Sequence, residues 1–279
     1  MVTMKQTTLV QPVSYQGIGL HAALEVHMVL RPAPADTGIV FVRTDLPGRP
    51  SVQAHLSHVT NTMRATTLEA GAAKVFTVEH ILSALSGLQI DNCTVEMDSP
   101  EPPVGDGSSL EFVRLIETAG VQVLDAPRRE WIIKEQHLIQ EEDKFVAVVP
   151  YDGYRITFTS INPHPLLGIQ FLDTEITKET YVQKIAFART IAFTGELEML
   201  RQLGLGKGGT LENAVVYDET TCLSKVRTDD ELVRHKVLDM IGDLALLGRP
   251  IRGHVIAVKS GHKLNNLLTH HIIKEFNAN

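Results

Sequence analysis

The chain has 279 residues, 43% of them hydrophobic and 21% charged, with a mean hydropathy near zero. That is globular composition; it excludes a disordered tail or a collagen-like repeat, and the length predicts about two domains. The net charge of −7 excludes a generally basic nucleic-acid footprint, and no run approaches the ~18 apolar residues of a membrane span.

In chain order, Leu24 to Leu30 and Gly38 to Arg43 read as strands rich in Val and bounded by Pro and Gly. Val78 to Ser86 reads as a short helix closed by Gly87, and Asn92 to Met97 alternates as a strand. Pro100 to Pro103 is a loop, and Leu110 to Ala119 is a helix ended by Gly120. Asp125-Ala126-Pro127 reads as a linker, giving domains 1–126 and 127–279. The second half restarts with strands at Glu130 to Lys134, Lys144 to Val149 and Tyr154 to Ser160. A helix is expected at Glu196 to Leu203, and the longest helical pattern at Glu231 to Leu247. A strand at Gly253 to Val258 and a last helix at Asn266 to Phe276 complete the chain. Each half has a helix with a His near its start, then a Gly, then a strand, which hints at duplication. The pattern favours an α+β fold over a doubly wound sheet.

Two cysteines, Cys93 and Cys222, without a CxxC, are too few for a disulfide framework and fit a reducing compartment. Any metal site must therefore use His and carboxylates. The first residues lack the apolar stretch of a signal peptide, so a soluble cytoplasmic protein is expected.

Three segments carry chemistry. In Arg234-His235-Lys236-Val237-Leu238-Asp239-Met240-Ile241-Gly242-Asp243, residues four apart share one helix face. His235, Asp239 and Asp243 form a polar stripe bordered by Lys236, with Val237, Leu238, Ile241, Leu244 and Ala245 facing the core. His and Asp one turn apart can share a metal ion; such a stripe is otherwise a solvated charged face. In Thr77-Val78-Glu79-His80, Thr77 is the expected N-cap, with Glu79 and His80 in the first turn, about 100° apart. A general base at that position needs burial to raise a pKa that the helix N-terminus lowers; the bland reading is a capping carboxylate beside a packed His. In Lys259-Ser260-Gly261-His262, the His is expected on a turn at a strand end, suited to a catalytic acid but also to an ordinary surface position. Neither HExxH nor HxxEH occurs, and Gly204, Gly206, Gly208 and Gly209 lack the spacing of a P-loop. His270-His271 reads as part of a frayed end.

Taken together, these segments resemble the UDP-3-O-acyl-N-acetylglucosamine deacetylase family over nearly the whole chain. The resemblance begins at Gln6-Thr7-Thr8-Leu9 and Gly17-Ile18-Gly19-Leu20-His21 and runs through Arg31-Pro32-Ala33-Pro34, Thr77-Val78-Glu79-His80, Ile90-Asp91-Asn92 and Asp106-Gly107-Ser108. It continues in Ala188-Arg189-Thr190, Gly208-Gly209-Thr210-Leu211-Glu212-Asn213-Ala214 and Val233-Arg234-His235-Lys236, and ends with Lys259-Ser260-Gly261-His262 and Leu264-Asn265-Asn266. It implies two α+β domains of similar topology with the site between them, and a zinc-dependent hydrolase of lipid A synthesis. By resemblance, His80, His235 and Asp239 hold Zn2+, with Fe2+ an alternative in the cell. Glu79 is the implied general base, His262 the cationic partner, Asp243 its orienting group and Thr190 the oxyanion donor. Lys236, Thr190 and Phe193 contact substrate, and an insert near 190–209 holds the acyl chain. Lys259, Lys263 and Arg189 join Lys236 as candidates for the diphosphate.

The implied partner is a nucleotide-sugar lipid, with no nucleic acid, at most peripheral membrane contact and a monomeric enzyme. The chain departs from the family pattern at Ile191, Glu196 and Gly206. Two rivals stand beside this reading: a zinc hydrolase of another N-acyl sugar, and a catalytically dead lipid- or nucleotide-binding protein.

Overall fold

The computed structural model describes residues 4–278. The first half contains β1 (Lys5–Leu9), β2 (Val13–Ile18), β3 (Glu25–Pro32), β4 (Ile39–Arg43), β5 (Ser51–Gln53), β6 (Val59–Asn61), β7 (Thr67–Ala70) and β8 (Ala73–Phe76). It continues with α1 (Glu79–Gly87), β9 (Cys93–Met97), α2 (Leu110–Ala119) and β10 (Val121–Pro127). The second half contains β11 (Trp131–Ile132), β12 (His137–Glu141), β13 (Lys144–Val149), β14 (Tyr154–Ile161), β15 (Ile169–Glu175), α3 (Lys178–Lys184), β16 (Ile191–Phe193) and α4 (Leu197–Gln202). It closes with β17 (Val215–Tyr217), α5 (Glu231–Ala245), β18 (Ile251–Val258) and α6 (His262–Ala278).

The two main sheets have one topology. The first runs β2-β3-β9-β4-β5 and the second β12-β13-β18-β14-β15, with β11 added beside β18. In each, the central strand comes last in sequence, pairs antiparallel on one side and parallel on the other, and follows a histidine-bearing helix. The suspected duplication is therefore a real repeat of topology, and the α+β class holds. Strand alternation fills both interiors: Val26, Met28 and Leu30 point inward from β3, and Ile251, Val255 and Ala257 from β18. Phe41 of β4 and Phe158 of β14 sit at matching places and are fully buried. Each such side chain stabilises the fold by about 1.5–3 kcal/mol relative to exposure. A continuous apolar core joins both sheets through α1 and α5, which pack directly on each other.

Several local expectations change. Asp125-Ala126-Pro127 is no free linker but the end of β10, paired antiparallel with β1. The strand expected at Glu130 to Lys134 shrinks to Trp131–Ile132. The last helix begins four residues earlier than expected, at His262, and at 17 residues it is longer than the 15-residue α5. His262 thus opens a helix rather than riding a turn. The Gly120 stop is as expected: its φ of 73° is open to glycine at little cost. No helix among the described residues is long and apolar enough to cross a membrane.

Candidate metal centre

α1 and α5 meet at their polar side chains as well as their apolar ones. α1 is buried along almost its whole length, including Glu79 and His80. On α5 the stripe His235, Asp239 and Asp243 is buried too, so the solvated-face reading fails. The close approach depends on Gly242, where a Cβ would lie 2.1 Å from the Glu79 carbonyl oxygen.

His80, His235 and Asp239 each offer one ligand atom, all within 4.8 Å of one another. The Asp239 Oδ1 lies 3.4 Å from His235 Nε2 and 3.7 Å from His80 Nε2. These gaps are long for hydrogen bonds. They match ligands sharing one tetrahedral ion, which bonds of about 2.0–2.1 Å would hold roughly 3.3 Å apart. Burial, then the neighbouring His235, holds His80 far below its ordinary pKa, at about 3. Burial also lowers His235. Burial disfavours the Asp239 charge, but the surrounding groups, among them the Lys236 ammonium and the cationic His262, outweigh it and keep the carboxylate ionised. The donors are thus two neutral imidazoles and a carboxylate, the protonation state a metal needs. His235 donates Nδ1–H to the Ala188 carbonyl at 3.1 Å, which leaves Nε2 as the free lone pair. A nitrogen and oxygen set without sulfur suits zinc or iron(II).

Beside the triad, Glu79 Oε1 lies 4.0 Å from His262 Nε2. Burial pushes the Glu79 carboxyl up to about 7, against the lowering effect of His262. His262 donates Nδ1–H to Asp243 Oδ2 at 2.8 Å. Burial alone would lower His262, but Asp243 and then Glu79 and Asp239 raise it to about 10. A carboxylate able to hold a proton thus faces an imidazolium. Lys236 donates to Asp239 Oδ2 at 3.0 Å, and this charge overcomes the cost of its burial.

A family model for UDP-3-O-acyl N-acetylglycosamine deacetylase matches residues 6–274. The chain belongs to this family. Relatives bearing the name UDP-3-O-acyl-N-acetylglucosamine deacetylase match it over nearly its whole length. The protein of Anaeromyxobacter dehalogenans is 42% identical over 277 residues, 99% of this chain and 89% of the relative. That of Myxococcus xanthus is 43% identical over 97% of this chain and 87% of the relative. That of Teredinibacter turnerae is 43% identical over 99% and 92%. The family is one of hydrolases that cleave an amide.

For this deacetylase-family chain the structure brings together His80, His235, Asp239, Glu79, His262, Asp243 and Lys236. Thr190 is half-buried, two residues beyond the carbonyl that holds His235; its own backbone is fixed by Gly107 and Val215. Phe193 packs instead with His164 and Tyr217. Neither makes a polar contact with the cluster among the described residues.

The proposed cations need correction: Arg189 is buried against Glu231 and is not free for a phosphate. Lys259 and Lys263 pair with Asp143 and Glu141 on the surface. Thr77 is not the N-cap. It takes a φ of 56°, strained for a β-branched residue, and its hydroxyl donates to Glu101 while Val78 stands at the cap. His271 is no frayed residue; it stacks edge-on to His137 within α6.

Sequence reading missed the residues that hold these groups. Thr66 donates its amide to Glu79 Oε2 and its hydroxyl to Asp243 Oδ1. Asn265 donates to Asp243 Oδ2, which is shared with His262. Glu101 accepts the His21 and Ala22 amides besides Thr77. Asn265 lies in the Leu264-Asn265-Asn266 segment just after His262, whereas nothing local in the sequence marks Thr66. The departures at Glu196 and Gly206 also find partners: Arg64 grips Glu196 with two bonds, and the Gly206 amide donates to His21 Nδ1.

Proposed function

We propose that this protein hydrolyses the acetamide of UDP-3-O-acyl-N-acetylglucosamine, leaving a free amine on the sugar and releasing acetate, a step of lipid A synthesis. The observation that carries the reading is the meeting of His80, His235 and Asp239 beside the Glu79–His262–Asp243 chain. A divalent ion held by the triad, zinc in this reading with iron(II) as an alternative, would polarise the acetyl carbonyl and acidify water.

The chain's own residues do the rest. Glu79, kept basic enough by burial, takes a proton from the attacking water. The amine is a poor leaving group and must be protonated as the C–N bond breaks. His262, held cationic by Asp243, gives it that proton from Nε2. Asp243 fixes the orientation of the ring and is itself fixed by Thr66 and Asn265. Thr190 and Lys236 contact the substrate's polar end, with the Thr190 hydroxyl at the developing oxyanion. Phe193 and the 190–209 segment wall the acyl chain, so turnover should depend on chain length at ~0.8 kcal/mol per buried methylene.

The free thiols Cys93 and Cys222 support a reducing compartment, taken as the cytoplasm. One chain supplies every residue named, so a monomer suffices. A domain boundary close to the expected 126/127, just after β10, is supported by the pairing of β10 back onto β1 as the first half ends.

Metal analysis with a deacetylation assay tests the reading. The wild type should bind one zinc per chain and release acetate; Glu79→Ala should keep the metal and lose turnover. Full activity in metal-free protein contradicts it. Equal activity on N-acyl sugars lacking uridine or the acyl chain favours the rival hydrolase.

A further inference from the structure

The segment Ala188-Arg189-Thr190 carries two jobs at once. The Ala188 carbonyl orients a metal ligand, and Thr190 stands two residues on. What holds this segment is a buried ion pair that the reaction itself does not use. Glu231, the first residue of α5, is almost wholly buried and so is Arg189. The Glu231 carboxylate accepts the Arg189 backbone amide at 3.1 Å, Arg189 Nε at 2.9 Å and Arg189 Nη2 at 3.1 Å. It also accepts the Arg227 amide at 2.7 Å. Arg189 Nη2 donates as well to the Lys225 carbonyl.

Glu231 and His235 are one turn apart on α5. The helix therefore grips the same segment at two successive turns: Glu231 holds Arg189, and His235 holds the Ala188 carbonyl. Two contacts one turn apart fix both the height and the rotation of the segment against the helix. From the other side, the Thr190 amide donates to the Gly107 carbonyl and Arg227 bridges the Phe187 carbonyl to Asp106. A Cβ on Gly107 would lie 1.7 Å from the Asn213 carbonyl oxygen, so this loop has no slack.

A buried ion pair is weak evidence for stability, because desolvating two charges offsets most of their attraction and apolar residues of similar size often do as well. Its saturation with directed bonds points to geometry instead. We infer that Glu231 and Arg189 are positioning residues: their pair fixes the Ala188 carbonyl that sets the His235 tautomer and the Thr190 side chain that faces the substrate. The Thr190 part rests on the proposed deacetylation; the His235 part rests on metal binding alone.

The test uses the full chain with Glu231→Leu and Arg189→Met together, which leaves neither charge unpaired, and with Glu231→Asp, which keeps the charge but shortens its reach. Three quantities are read: the thermal midpoint of metal-free protein, zinc affinity against a chromophoric chelator, and kcat and KM. The paired variant should melt close to wild type, bind zinc about 10–100-fold more weakly, as expected when a ligand's outer partner is lost. Its kcat should fall with KM changed by no more than about threefold. Glu231→Asp should shift zinc affinity and kcat in the same direction by less, and it carries the test alone if the paired variant does not fold. Wild-type zinc affinity and kcat in a folded variant would overturn the inference. If the wild type binds zinc but releases no acetate, the deacetylation reading fails, and the zinc arm still decides the role of the pair for His235.

Discussion

α1 and α5 hold the same place in the two halves, each just before the central strand of a sheet with the same order, yet they contribute different chemistry. α1 has nine residues and gives its functional groups from adjacent positions in its first turn, Glu79 and His80. α5 has 15 and gives them from successive turns of one face, His235, Asp239 and Asp243. Adjacent residues diverge by about 100°, so α1 can flank one ion with a ligand on one side and a base on the other. A stripe instead stacks groups along a line, so α5 supplies two ligands and the carboxylate that holds His262. A repeated scaffold has become a site through what differs between its copies.

The largest effect separates the helices by ligand. His235→Ala should abolish stoichiometric zinc binding and lower turnover by at least about 10³-fold, read by metal analysis and acetate release. His80→Ala should match it, and a variant of either that kept its zinc would break the shared-ion account. Second, Glu79→Gln should retain zinc while kcat falls by about 10²–10⁴-fold, the usual worth of a positioned base. Loss of metal in Glu79→Gln would make the α1 pair two ligands rather than a ligand and a base.

Third comes the seam between the helices. Gly242→Ala places a methyl group against the Glu79 carbonyl, so it should cost about 1–3 kcal/mol in chemical denaturation and lower kcat as well. Unchanged stability would mean that the helices are not so tightly apposed.

The smallest effect lies where the first half meets the second beyond the helices. Burial, then the Arg64 charge, lowers His21 to about 4, and its Nδ1 accepts the Gly206 amide. The unfolded chain therefore binds more protons than the folded one between about pH 6.5 and pH 4. The contribution of His21 is fully present above pH 6.5 and is lost as pH falls through that window. His21→Gln should flatten the low-pH arm of the stability curve; an unchanged arm would contradict the assignment.

What was legible in the sequence follows the reach of local chemistry. Helix α2 is read residue for residue because Gly120 stops it, and β13 because Lys144 to Val149 is a bounded apolar run. β15 was missed because its pattern is inverted: Gln170 and Thr174 point inward while Ile169 and Phe171 face out. The three-stranded sheet of β6, β7 and β8 was missed because strands of three or four residues leave too short a period. In the site, the His235–Asp239–Asp243 stripe was visible because helical spacing alone makes it. Thr66, 177 residues from Asp243, was invisible because only the folded chain joins them. Arg189 was misread for the same reason: its partner Glu231 comes from another element.

The most direct test of the shared ion is an anomalous difference map at the zinc edge from crystals of the zinc-loaded protein. The account predicts one dominant peak about 2.0–2.2 Å from one nitrogen each of His80 and His235 and from a carboxylate oxygen of Asp239. A dominant peak elsewhere, such as beside His137 and His271, with none between α1 and α5, would contradict it.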